Sequence, residues 1–548
     1  MPRAQLSSLE ADLSTTLDRL RKDRVVDRIW EKDHTLWNPE PTEITNRLGW
    51  LDLVREAPGE DLGIQELVEE VREAGMASVV LLGMGGSSLG AEALRASFGT
   101  QEGFPELHVL DSVHPRWVER VRRSIDPATT LFVVASKSGT TAEVMAFFRY
   151  FWGETAAVVG QEKTGSHFCA ITDPGTPLVT LAEEHGFRRT LVNPPDIGGR
   201  FSVLSRFGLT AAALAGMDAT ALLTSGHEMA ARSLPGTAPE TNPGVWLGAL
   251  LGTAAQAGRD QLTLLASPRI ETFGLWAEQL LAESTGKEGQ GILPVTGEPR
   301  VDPARYSERR LFVALRYGPD PGEGFDEHLA SLRQAGLPLV EYELNDLSDL
   351  GGEFFRWELA TAVAGHLLGI HPFDQPDVQS TKSETRRLLK AYEESGRLPE
   401  VLVDADLVEA LKTGPRFVAL MAYADQSPEL EAAITELRRH LLDDLGLTTT
   451  FGYGPRFLHS TGQLHKGGPD GGLFVQLLAE ASAELEIDGE AYGLGVLLRA
   501  QAAGDLAALR GRDRHCVRID LGDEPVEAIG RLIDREEQIS PVSDLPFF

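Results

Sequence analysis

Leu131-Phe132-Val133-Val134-Ala135-Ser136-Lys137-Ser138-Gly139-Thr140-Thr141-Ala142 passes from an apolar run through small polar residues into a helical pattern that continues to Trp152. A strand that feeds a helix through such a loop gathers free backbone N–H groups, hydroxyls and the positive end of a helix dipole in one place. Ser and Thr are favoured at helix caps in any case, but this loop exceeds what a cap requires. Earlier in the chain the same arrangement occurs: Ser78-Val79-Val80-Leu81-Leu82, then Gly83-Met84-Gly85-Gly86-Ser87-Ser88-Leu89-Gly90, then a helix-like stretch from Ala91. Two such loops in one unit point to a phosphorylated small molecule. Lys137 reads as a charge partner for the phosphate. The alternative, a Schiff-base lysine at a strand end, fits less well with the hydroxyls beside it.

Working outward, apolar strands at 78–82, 107–111, 131–135, 168–172 and 190–193 alternate with helical patterns. That alternation predicts an α/β fold, a parallel sheet covered on both faces. A Gly/Pro/Thr-rich connection, Leu234 to Pro243, precedes a second series: strands at Leu262–Ala266, Leu311–Arg316 and Leu339–Leu344, and helices at Gly274–Ser284, Phe354–Leu368 and Thr385–Ser395. From about residue 400 the pattern begins a third time, with strands at Phe417–Tyr423, Gly472–Leu477 and Cys516–Leu521 around a helix at Leu430–Leu445. Ahead of all this, Leu6, Leu9, Leu13, Leu17, Leu20, Val25 and Ile29 predict an amphipathic helix packed on the main body. The domain reading is therefore 1–75, a helical extension; 76–230 and 231–398, two doubly wound parallel-sheet domains; and 399–548, a further C-terminal α/β region.

With 42% hydrophobic residues the 548-residue chain can build sizeable cores, yet no apolar run is long enough to span a bilayer. The N-terminus leads into a charged helical pattern rather than an apolar signal, and two cysteines exclude a disulfide framework. A cytoplasmic location is the expectation. A net charge of −31 argues against nucleic-acid and membrane partners. It also obliges a phosphate site to supply local positive charge, for which Lys137, Arg200, Lys287 and Lys382 are the candidates.

Three further motifs carry chemistry. In Asp196-Ile197-Gly198-Gly199-Arg200-Phe201-Ser202, paired glycines permit close backbone approach, and Arg200 can aim a fixed cation at a developing oxyanion. A surface turn with a solvated Arg is the plain alternative. In Trp276-Ala277-Glu278-Gln279-Leu280-Leu281-Ala282-Glu283-Ser284-Thr285-Gly286-Lys287, Gln279 and Glu283 share a helix face, and Gly286 reads as the helix stop. Glu283 is either a positioned general base or an exposed surface carboxylate. Pro372-Phe373-Asp374-Gln375-Pro376-Asp377-Val378-Gln379-Ser380-Thr381-Lys382 reads as a loop entering a helix, and it brings Gln375 and Lys382 together only if the helix starts between them.

In this order the motifs resemble the phosphoglucose isomerase family over roughly residues 75 to 390, and most closely the isomerase half of bifunctional transaldolase/phosphoglucose isomerase fusions. The resemblance implies two sugar-isomerase (SIS) type domains and interconversion of glucose 6-phosphate and fructose 6-phosphate. It assigns substrate phosphate to Ser87, Ser136, Lys137, Ser138, Thr141, Gln279 and Gln375, with Gly85 and Gly86 in the glycine-rich loop at the site. It makes Glu283 the isomerising base, Arg200 the enediolate-stabilising cation and Lys382 a residue at the ring end of the sugar. It implies no cofactor or metal, and a homodimer whose sites borrow a residue across the interface.

The chain departs from the family pattern at Pro195, Thr285 and Asp377. Thr285, beside the base, raises the alternative of a mannose 6-phosphate or dual-specificity isomerase; a non-catalytic sugar-phosphate-binding regulator is the other. The Gly-Gln-His ring-opening motif is absent between Glu283 and Phe373. A similar run follows later, His459-Ser460-Thr461-Gly462-Gln463-Leu464-His465-Lys466-Gly467-Gly468, and makes His465 the first choice and His459 the second for opening the ring.

Overall fold

The computed structural model describes residues 2–55, 62–399, 407–480 and 484–536. Fourteen strands form three sheets among these residues. The first holds β2 (Ser78–Leu82), β3 (Glu106–Leu110), β4 (Thr130–Ala135), β5 (Phe168–Thr172) and β6 (Arg189–Val192) in the order β3-β2-β4-β5-β6, all parallel. The second has the order β1-β10-β9-β7-β8, from β1 (Arg3–Gln5), β7 (Gln261–Ala266), β8 (Leu293–Val295), β9 (Arg310–Tyr317) and β10 (Leu339–Leu344). The third has the order β12-β11-β13-β14, from β11 (Phe417–Tyr423), β12 (Thr448–Tyr453), β13 (Gly472–Ala479) and β14 (His515–Gly522). Strands β2, β4, β5 and β11 are buried along their whole length, as continuous apolar runs covered by helices on both faces must be.

In every sheet the first strand of its α/β series is flanked by the second on one side and the third on the other. In the first sheet that reversal falls between β2 and β4, and a crevice opens there beyond the carboxyl ends of the strands, where open α/β sheets bind ligands. The two loops that follow β2 and β4 are the glycine-rich and hydroxyl-rich loops.

Besides the unexpected edge strands β8 and β12, elements near the N-terminus and at the end of the second unit differ from expectation. The first thirty residues hold two helices, Leu9–Lys22 and Val25–Trp30, separated at Arg24, whose φ of 53° breaks the run. Strand β1 precedes them and pairs antiparallel with β10, so the N-terminal region completes the second sheet rather than merely covering it. The last helix of the second unit starts at Val378, not Thr385, which puts Gln375 just ahead of it and Lys382 in its second turn.

The largest core joins the two five-stranded units. Trp50 stacks on Phe201, just past Arg200, at 5.4 Å between ring centroids, and both side chains are at most 1% exposed. Burying aromatics of this size contributes about 2–3 kcal/mol each and fixes the Arg200 turn to a rigid interior.

Candidate active site

A cavity of about 730 Å³ lies where the three units meet. Backbone crowding sets its shape. A Cβ on Gly86 would sit 2.1 Å from the Gly199 carbonyl oxygen, so the glycine-rich loop and the Arg200 turn can touch only because a side chain is missing there. The helix Phe273–Thr285 delivers Gln279 and Glu283 from one face, and every residue from Trp276 to Thr285 is buried.

Glu283 is a buried carboxylate, 5% exposed, with its Oε2 3.4 Å from Nη1 of Arg200. Gln279 donates to the same Oε2 at 3.2 Å and to the His459 carbonyl at 2.8 Å. Arg200 is held on every side: Nε donates to Ser284 Oγ at 2.7 Å, and Nη2 to the carbonyls of Pro372 at 2.6 Å and Asp374 at 3.0 Å. Burial raises the Glu283 pKa above its ordinary 4.5, although the charges of Arg200, His459 and Lys287 oppose the rise. The same burial lowers Arg200, against the pull of Glu283 and Asp374. Lys287 is pushed down to about 8, first by burial and then by the Arg200 charge; its Nζ donates to the His371 carbonyl at 2.5 Å and to Asp374 Oδ1 at 2.7 Å. It braces the loop that accepts from Arg200.

Of the residues proposed from sequence, Glu283, Arg200, Lys382, Ser87, Lys137, Ser138, Thr141, Gln279, Gln375, Gly85, Gly86 and His459 all line this one cavity. Two do not. Ser136 is buried beneath the hydroxyl loop, where its Oγ accepts from the Gly139 N–H at 3.1 Å and pairs with Thr141 Oγ1 at 2.9 Å. It shapes the loop rather than facing a ligand. His465 is displaced too: it is 3% exposed, with its ring 5.1 Å from that of Phe474 and 5.7 Å from that of Phe457. Burial, then the Lys466 and Arg514 charges, keep its pKa well below 6.5. The histidine in the cavity is His459, whose Nε2 lies 2.9 Å from Glu143 Oε1. It lines the cavity from the same chain as Glu283.

Glu143 went unread in the sequence. It is the second residue of the helix Ala142–Val159, a place where an acidic residue is expected for the dipole alone. Here it is 4% exposed and also accepts from Gln501 Nε2 at 2.5 Å. Burial alone would raise its pKa, but the His459 charge and the hydrogen bonds outweigh it and bring the value to about 2. Asp173, legible in the sequence only as the start of a turn, forms an ion pair with Lys137, whose Nζ donates as well to the Pro195 carbonyl at 2.9 Å.

The departures have structural explanations. Thr285 points away from the cavity, its Oγ1 donating to the Leu281 carbonyl at 2.8 Å and accepting from the Ile292 N–H at 2.9 Å. It does not line the cavity. Asp377 accepts from Gln463 Nε2 at 2.6 Å while its own N–H donates to Gln463 Oε1 at 2.9 Å. Gln463 also donates to the Gly286 carbonyl at 3.0 Å, tying the carboxylate-bearing helix to the C-terminal unit. Among the described residues no group of three or more His, Cys, Asp or Glu side chains is arranged to hold a metal ion, and no helix is long and apolar enough to cross a membrane.

A hydroxyl-rich loop, a buried carboxylate and an opposed guanidinium thus meet in one α/β crevice. A family model described as phosphoglucose isomerase matches residues 66–291. Glucose-6-phosphate isomerase of Rubrobacter xylanophilus is 31% identical in an alignment over 368 residues that covers 58% of this chain and 84% of the relative. A probable glucose-6-phosphate isomerase of Natronomonas pharaonis is 31% identical over 422 residues, 70% of this chain and 94% of the relative. The chain belongs to the phosphoglucose isomerase family. Among solved structures, a hypothetical protein of Thermus thermophilus superposes with a TM-score of 0.57 at 26% identity, covering 71% of this chain and 99% of its own. A glucose-6-phosphate isomerase from Chlamydia trachomatis shares the fold with the same TM-score of 0.57 at 18% identity, covering 70% of this chain and 86% of its own.

Proposed function

We propose that the chain interconverts glucose 6-phosphate and fructose 6-phosphate through a cis-enediolate. The observation that carries this reading is the buried Glu283 facing Arg200 at 3.4 Å inside the cavity that the hydroxyl loop also lines. The substrate phosphate sits against Ser138, Thr141 and the opening turn of the helix Ala142–Val159, with Ser87 and Gln375 nearby. Holding that remote group aligns the reacting end. His459, oriented by Glu143, moves the proton between the ring oxygen and O1 as the pyranose opens. Glu283 then takes the C2 proton, and the electron pair shifts toward the C1 carbonyl to give the enediolate. Arg200 stabilises the oxyanion. Glu283 returns the proton to C1 as the O2 proton passes to O1, so atoms and charge balance. Lys382 faces the ring end of the sugar. The reading includes no metal or cofactor, and a homodimer in which His459 serves its own chain.

Burial favours the assignment of Glu283. A base that works near neutral pH gains from a pKa above the ordinary carboxylate range, and desolvation supplies that rise. A coupled assay of the full chain on glucose 6-phosphate, fructose 6-phosphate and mannose 6-phosphate tests the reading. Turnover of the first two, with mannose 6-phosphate slower by about tenfold or more, is the expected result. Faster turnover of mannose 6-phosphate would overturn the substrate assignment, and binding of all three without turnover would make the protein a sensor.

A further inference from the structure

Five cationic side chains with permanent charge line the cavity: Arg47, Lys137, Arg200, Lys382 and Arg386. Three are engaged by the protein itself. Arg47 pairs with Glu43 at 3.2 Å, Lys137 with Asp173, and Arg200 with Glu283 and two carbonyls. Lys137, the lysine that the loop sequence offers to a phosphate, therefore meets an incoming dianion already half neutralised. Lys382 and Arg386 carry no hydrogen bond or ion pair to any described residue; both are exposed to the cavity.

The two belong to one stripe of the helix Val378–Ser395. Thr381, Lys382, Thr385, Arg386 and Leu389 stand at i, i+1, i+4, i+5 and i+8, which is one helix face, and all five line the cavity. Packing on two sides holds the helix that carries Arg386. On one side, the Thr385 hydroxyl abuts Gly504, close enough that a Cβ there would lie 2.7 Å from it; Gly504 stands on the helix Leu494–Arg510, whose Gln501 bonds Glu143. On the other, Leu389 belongs to the same buried cluster as Val144 and Phe147. Glu143, Val144 and Phe147 all stand in the first two turns of the helix that opens from the hydroxyl loop.

We propose that Arg386 is a substrate-binding residue that pairs with the phosphate of the sugar phosphate above the hydroxyl loop, while Lys137 chiefly holds Asp173 and the Pro195 turn in place. The inference rests on the phosphate-first reading given above and deepens it. A guanidinium suits the role, since its planar fork can meet two phosphate oxygens at once. The acidity of the chain, with a net charge of −31, makes an unpaired cation at the site the strongest local attraction for a dianion.

Arg386→Gln in the full chain tests it, read by calorimetry with inorganic phosphate and by the KM for fructose 6-phosphate. The dissociation constant for phosphate and the KM are each expected to rise about tenfold or more, with kcat within about threefold, and Arg386→Lys should recover part of the loss. Melting temperature and circular dichroism check the fold of both variants. A phosphate dissociation constant within twofold of the unsubstituted chain in both variants, or absence of phosphate binding by the unsubstituted chain, would overturn the inference. The calorimetric arm needs no turnover. If the chain binds phosphate through Arg386 yet isomerises no hexose phosphate, the isomerase reading falls and this inference stands; if it isomerises and the variants bind phosphate normally, the reverse holds.

Discussion

The two five-stranded units share an architecture and meet the cavity in different ways. The first, β2 to β6, presents loops: the glycine-rich loop after β2, the hydroxyl loop after β4 and the Arg200 turn beyond β6. The second, β7 to β10, presents side chains on a helix buried from Trp276 to Thr285. Loops give many weak donors that can mould to a phosphate, whereas a packed helix gives few groups held at fixed positions. On the proposed reading the first unit supplies the loop contacts to phosphate and the second the base Glu283, while Gln375 and Arg386 of the second unit and His459 of the C-terminal unit cross that division.

That division can be broken by experiment. Glu283→Gln, on the helix, is expected to lower kcat by a factor of roughly 10²–10⁴ while phosphate binding persists; near-normal turnover would remove Glu283 as the base. Ser138→Ala, on the hydroxyl loop, should raise KM by about tenfold with a smaller change in kcat, and a kcat loss larger than the KM rise would blur the two roles. The smallest effect is on pH. Burial raises the Glu283 pKa, so the acid limb of kcat/KM should fall off above pH 4.5, the base being active only when deprotonated. Arg200 opposes that rise, so Arg200→Gln should move the limb to still higher pH in whatever activity remains. A limb that stays fixed in that variant would disconnect the pair.

The sheets were largely legible because buried parallel strands are continuous apolar runs, and those of β2, β4, β5 and β11 stand out in the sequence. The strands that escaped are edges. β1 is only Arg3-Ala4-Gln5, β8 carries Pro294, and β12 opens with three threonines that bury against polar partners such as Gln261 and Glu298 rather than in an apolar core. In the site, local motifs gave residues that the fold brings to one cavity: the loop hydroxyls, Gly86, Arg200 and Glu283. What they could not give was pairing across the chain. Glu143 and His459 are 316 positions apart, and nothing near either one announces the other. His465, the first choice from sequence, lies outside the cavity and His459, the second, lines it. Both stand in one short run, and only the packing of Phe457 and Phe474 decides which ring is walled in.

The contact at Gly286 constrains how substrate enters and leaves. A Cβ there would lie 2.4 Å from Leu464 Cα, and Gln463 grips both the Gly286 carbonyl and Asp377, so the C-terminal unit is bolted to the end of the carboxylate-bearing helix. Swinging that unit aside would unseat the very helix that carries Glu283. The C-terminal unit is therefore a fixed wall of the crevice, and Lys382, on the exposed flank of the helix Val378–Ser395, borders the same space.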